Sequence, residues 1–120
     1  IAAMFGLEKN LHTETANLDF GSQRMVELAR ALAGDPELLL LDEPAAGLNI
    51  HETLQLADTI KKIRNLGITI LLIEHDMSLV MDISDEIVVL SYGKKIAEGL
   101  PAEIQRNSEV IAVYLGNDNA

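Results

Sequence analysis

The stretch that most constrains this chain is Leu38-Leu39-Leu40-Leu41-Asp42-Glu43-Pro44. Four consecutive leucines with no polar partner predict a strand buried on both faces, the pattern of a parallel sheet covered by helices. Pro44 has no N–H to give a ladder, so the strand must end before it. Asp42 and Glu43 are thereby left at the carboxyl end of the sheet, where open α/β folds bind ligands. Adjacent strand residues face opposite ways, which predicts different tasks for the two carboxylates, one toward a metal and the other toward a water.

The elements around this strand alternate. Ile1 to Leu11 reads as the tail of a helix followed by a loop. Leu18 to Arg24 then runs into an amphipathic helix whose Met25, Leu28, Ala29 and Leu32 recur at helical spacing, with Asp19 or Asn17 as its N-cap and Gly34-Asp35-Pro36 as its stop, the glycine taking the left-handed cap. After the acidic strand, the small-residue loop Ala45 to Asn49 leads to a second helix with Leu56, Ile60 and Ile63 on one face and Lys61, Lys62 and Arg64 as a solvated face. Ile68 to Ile73 predicts a second buried strand, again ending in a polar cluster, Glu74-His75-Asp76, with Asp76 placed to cap a short helix carrying Leu79, Val80 and Ile83. Met77 and Met81 lie one turn apart and read as core. Ile87 to Leu90 predicts a third strand, turning at Tyr92-Gly93 into a hairpin with Lys95-Ile96-Ala97. Pro101 suits the first turn of another helix, a last helix is expected around Val110 to Leu115, and Gly116 to Ala120 should fray. The alternation predicts an α/β fold with a mainly parallel sheet.

Composition removes several classes of function. Nineteen acidic against nine basic residues give a net charge of −10, which disfavours phosphate backbones and anionic membrane surfaces, so no nucleic-acid partner is expected. There is no cysteine, hence no disulfide or thiolate metal site. Apolar runs stop far short of the roughly 20 residues that span a bilayer, so direct membrane insertion is not expected. The first residue is Ile1 rather than methionine, which fits a processed, trimmed or partial chain.

A helix opening on a glycine turn, then a strand ending in Asp-Glu, then a strand ending in histidine is more specific than any of its parts. The order resembles the ABC-type ATPase domain, a P-loop NTPase (RecA-like) fold, from the end of its helical subdomain onward. The resemblance spans essentially the whole chain: 1–20 as the end of that subdomain, 21–99 as the core and 100–120 as C-terminal helices. LLLLDEPAAGLN, ITILLIEHDMSLVM, YGKKIAEG and the VYLG ending are most similar to the ATP-binding subunits of branched-chain amino acid importers. Lipopolysaccharide-export ATPases resemble the chain less.

The resemblance implies roles for matching residues only. Asp42 falls on the aspartate that holds Mg2+, usually through water, and Glu43 on the glutamate that orients and deprotonates the water attacking the γ-phosphate of ATP. His75 matches the switch histidine, expected to donate a hydrogen bond to that phosphate. Gly21, Ser22 and Gln23 lie in the signature turn, which in the family meets the ATP of a second ATPase subunit in a head-to-tail dimer. Asn49 stands where the D-loop has an aspartate. Transmembrane permease subunits would be further partners, and would hold the protein at the cytoplasmic face of the inner or plasma membrane.

Two departures limit this expectation. Asp19 and Phe20 replace a serine and a glycine of the signature motif. A carboxylate ~4 Å from a phosphate is repelled by something like 1–4 kcal/mol depending on the dielectric, so Asp19 reads better as a helix cap. No Gly-x-x-x-x-Gly-Lys-Ser/Thr occurs anywhere, so the loop and lysine that cradle phosphates are missing from the chain. Hydrolysis residues without the main binding residues predict weak ATP binding and hydrolysis by these 120 residues alone, and uncovered apolar strand faces that favour association. The competing expectations are a non-catalytic assembly module and a non-transport ATPase.

Overall fold

The computed structural model describes residues 19–115. The readings of Ile1 to Leu11 and of the last five residues, and Asn17 as a cap, lie outside them. The chain divides into two compact units, Ile1–His75 and Asp76–Ala120.

In the first unit, α1 (Phe20–Leu32) begins at Asp19, whose carboxylate accepts the Ser22 N–H at 2.7 Å, and Met25 and Leu28 are buried. The helix stops at Gly34-Asp35-Pro36 as expected, but the left-handed residue is Asp35, at φ 52°, rather than Gly34. Aspartate tolerates the left-handed region, its side chain bonding locally where most others would be strained.

Strands β1 (Leu38–Asp42) and β2 (Thr69–Ile73) pair in parallel, in register from Leu38 opposite Thr69 to Asp42 opposite Ile73. The expectation of burial on both faces holds for one face only. Leu39 is buried and Leu41, Ile70 and Leu72 are partly so, whereas Leu38, Leu40, Leu71 and Ile73 on the other face are all more than half exposed. Two strands covered on one side account for the difference. Between them runs α2 (Ile50–Asn65), set by a reciprocal cap in which Asn49 accepts the Glu52 N–H at 2.8 Å and Glu52 accepts the Asn49 N–H at 3.0 Å. Leu56, Ala57, Ile60 and Ile63 form its buried stripe, as the spacing predicts. Burial of each large side chain in that stripe stabilises the unit by about 1.5–3 kcal/mol. Gly67, at φ 93°, turns the chain into β2.

In the second unit, Asp76 caps α3 (Met77–Ile83) through the Leu79 N–H at 3.1 Å. Strands β3 (Ile87–Ser91) and β4 (Lys94–Gly99) form the expected antiparallel hairpin. Tyr92 and Gly93, at φ 49° and 77°, make its two-residue turn, and a bulge falls between Val89 and Leu90. Parallel pairing is thus confined, among the described residues, to β1 and β2. Helix α4 (Pro101–Arg106) starts at Leu100, which offers no side-chain cap; only Glu103 reaches back, accepting the Leu100 N–H at 3.2 Å. The expected last helix is a short α5 (Ser108–Val110), capped by Asn107, that continues as a π-helical turn over Ile111–Leu115. Val80, Ile87, Val89, Ile104 and Val110 make the core of this unit, with Met77 and Met81 packed against it as expected. Among the described residues no helix is long and apolar enough to cross a membrane.

Candidate functional site

The parallel register brings the carboxyl ends of β1 and β2 side by side. The Glu43 N–H donates to the Ile73 carbonyl at 2.7 Å, extending the ladder one residue beyond β1. Glu43 then takes φ 47°, left-handed for a residue with a side chain, directly before Pro44. Such a conformation costs on the order of 1–3 kcal/mol and gathers at functional sites. It turns the carboxylate toward β2, where Glu43 Oε1 lies 2.9 Å from His75 Nδ1. Both side chains are exposed. An ionised carboxylate can only accept, so Nδ1 carries the proton of this bond.

Beneath this exposed pair is a carboxylate that sequence reasoning gave no role. The Glu74 side chain is 2% exposed. Its Oε2 accepts the Ala45 N–H at 3.2 Å, its Oε1 accepts the His75 N–H at 3.1 Å, and Oε1 lies 3.8 Å from His75 Nδ1. Its one sequence signal was an acidic residue at a strand end.

Asp42, last in β1, is exposed. Among the described residues no cluster of three or more His, Cys, Asp or Glu could hold a metal. A single exposed carboxylate still fits Mg2+, which keeps several waters and takes one or two protein carboxylates beside substrate phosphates.

The turn at residues 19–23, where the resemblance puts the signature motif, is internally satisfied. Gly21 N–H donates to Glu52 Oε2 at 2.9 Å, Ser22 N–H to Asp19, and Gln23 N–H to the Asp19 carbonyl at 3.0 Å. The Ser22 N–H, and after it the Ser22 hydroxyl, hold the Asp19 carboxyl below its ordinary value of 3.8. Asp19 therefore acts as the helix cap the sequence predicts. The Glu52 contact was not foreseen, although the Asn-x-x-Glu spacing of a capping box announces the other half of its bonding. A Cβ on Gly21 would lie 2.5 Å from Glu52 Oε2, so this glycine is what admits the carboxylate. The same turn also touches the 45–49 loop twice. Arg24 Nη2 donates to the Ala46 carbonyl at 3.1 Å, and the Phe20 ring sits where a Cβ on Gly47 would come within 2.7 Å. Arg24 also lies over the Phe20 ring, 5.4 Å from its centroid. Phe20, a departure from the family motif, is thus packed against the loop. Asn49 spends its side-chain oxygen on the α2 cap. Below the turn, Arg24, Leu28, Leu39, Asp42, Pro44 and Leu56 line a groove of about 250 Å³.

Comparison with known proteins places the chain among relatives by sequence and by fold. Residues 1–46 match the family described as ABC transporter, and residues 94–120 match the branched-chain amino acid ATP-binding cassette transporter family. The high-affinity branched-chain amino acid transport ATP-binding protein LivG of Salmonella typhimurium is 51% identical over 92% of this chain and 44% of its own length. BraF of Pseudomonas aeruginosa, of the same description, is 51% identical over 91% of this chain and 45% of its own. Among solved structures, MJ1267 in its ADP conformation, an ATP-binding cassette of an ABC transporter, superposes with a TM-score of 0.86 at 27% identity, covering 96% of this chain and 47% of that one. The chain spans less than half the length of the curated relatives it matches. At 51% identity over 92% of its length to such a subunit, the chain belongs to the ABC transporter ATP-binding family.

Proposed function

We propose that this chain supplies the hydrolysis residues of the ATP-binding subunit of an importer for branched-chain amino acids. The observation that carries the reading is the Glu43–His75 contact of 2.9 Å at the adjoining ends of two parallel strands, one residue beyond the exposed Asp42. Glu43 is the general base: exposed and aimed by its left-handed backbone, it accepts a proton from the water that attacks the terminal phosphate of ATP. His75 donates to that phosphate. While Nδ1 bonds to Glu43, donation from Nε2 requires the doubly protonated ring. Asp42 would hold Mg2+, which neutralises phosphate charge when bound. Gly21, Ser22 and Gln23 present the turn to the nucleotide of a second subunit, once their N–H groups exchange an internal oxygen for a phosphate oxygen. Asn49 positions the loop at that junction. Phosphate cradling comes from a segment outside these 120 residues, and permease subunits carry the substrate across the membrane.

The reading is tested in vesicles containing the transport assembly that carries this chain. ATP-dependent uptake of leucine, isoleucine or valine is expected, and ATP turnover unaffected by every branched-chain amino acid and its binding protein contradicts it. Titration calorimetry on the 120-residue chain alone is expected to show no micromolar Mg-ATP binding.

A further inference from the structure

We propose that Glu74 is a positioning residue for the Glu43–His75 pair, its buried carboxylate cross-linking the turn that carries Glu43 to the segment that carries His75. The inference rests on the functional reading above for its catalytic consequence, but its geometry stands without it. Pro44 has no N–H, so the first backbone donor after Glu43 is that of Ala45, and Glu74 Oε2 takes it. The other oxygen takes the His75 N–H. One side chain thus fixes the chain two residues beyond Glu43 and the backbone of His75 itself, on two strands 32 residues apart at the contact they make.

Burying a carboxylate is costly unless its oxygens are bonded, and here two backbone N–H groups bond them, with no lysine or arginine in the pair. A neutral amide in its place would keep one acceptor oxygen and turn an NH2 donor toward the other N–H, so holding both backbones already calls for a carboxylate. What the carboxylate adds is a fixed negative charge 3.8 Å from His75 Nδ1, on the side away from solvent. With Glu43 in front and Glu74 beneath, both neighbours of Nδ1 are acceptors, so the proton stays on Nδ1 and the ring stays turned toward Glu43. The Glu43 backbone is bonded through its N–H to the Ile73 carbonyl at 2.7 Å and through its carbonyl to the Ala46 N–H at 3.1 Å, and Glu74 adds the bond to the donor between them, Ala45.

The test has two arms. In the 120-residue chain, Glu74→Ala should speed amide exchange at Ala45 and His75 about tenfold, the loss of one net hydrogen bond at each, while the Glu43 amide, bonded to Ile73, changes little. Imidazole 15N spectra of the same variant should show His75 losing its single Nδ1–H tautomer. In the ATPase assembly, Glu74→Ala should lower kcat roughly a hundredfold, as misplaced catalytic groups do, with KM for Mg-ATP within about twofold. Glu74→Gln, equal in volume and keeping one acceptor oxygen, should fold like the parent and fall between the two. Unchanged exchange at Ala45 in Glu74→Ala, or a kcat within twofold of the parent, overturns the proposal. Should Glu43→Gln leave turnover intact, the functional reading fails, and the exchange and tautomer arm still decides the cross-link by itself.

Discussion

Replacing Glu52 with alanine removes two bonds at once, those from the Gly21 N–H at 2.9 Å and the Asn49 N–H at 3.0 Å. Hydrogen bonds to charged groups contribute roughly 1.5–3 kcal/mol, and partial exposure places these at or below the low end, so about 2 kcal/mol is expected for the pair. Gly21→Ala removes the first bond by another route. The new Cβ meets Glu52 Oε2 at 2.5 Å, and the end of that side chain must swing away while the Asn49 bond survives. That variant should lose about 1 kcal/mol through the contact, offset in part by the better helix propensity of alanine, worth up to about 1 kcal/mol. The propensity gain is present in both backgrounds and cancels in a double-mutant cycle. Because both changes remove the same bond, Gly21→Ala should be milder in Glu52→Ala than in the parent by about 1 kcal/mol. Native-state amide exchange at Gly21 and Asn49 reads this locally, and urea unfolding reads the total. Strict additivity, or a Gly21 amide indifferent to Glu52→Ala, would refute the contact and with it the coupling of the signature turn to α2.

Asp19 predicts a pH signature. Its folded value is depressed by Ser22, so its stabilising contribution is present above 3.8 and is lost as pH falls through the lower folded value. An asparagine in its place caps equally well without titrating; the stability difference between parent and Asp19→Asn, followed by urea midpoints, should shrink toward zero in acid and be damped by salt. A difference that grows on acidification contradicts the sign. Leu100 is the one helix start without a side-chain acceptor among α1 to α4. Leu100→Thr should raise stability by about 1 kcal/mol in thermal or urea unfolding, and no gain would mean that Glu103 already satisfies that end.

Much of this was legible from spacing and end residues. Asp19, Asp76 and the Tyr92-Gly93 turn stand where their local chemistry predicts, because caps and turns are decided within a few residues. The family pattern gave Glu43 and His75 separate roles toward a nucleotide but not their meeting, since two residues on separate strands have no local signal for their contact. Burial of Leu38 to Leu41 was misjudged on one face because an apolar run reports what a strand wants, while exposure depends on what covers it. Glu52 and Glu74 went unassigned for a related reason: a carboxylate that bonds backbone N–H groups of a distant segment looks, in sequence, like any surface acid. The left-handed Asp35 and Glu43 both stand directly before proline, where the local rule points to extended backbone, so their conformation was not legible.

The central claim is that Glu43, held against His75, is the base of ATP hydrolysis. Glu43→Gln keeps the volume of the side chain and an oxygen to accept from His75 Nδ1, and removes the capacity to take up a proton. In the assembly carrying this chain, ATP turnover per site should fall by at least about a hundredfold, the span of a lost general base, while Mg-ATP binding is retained. Turnover at the parent rate with binding intact would contradict the account.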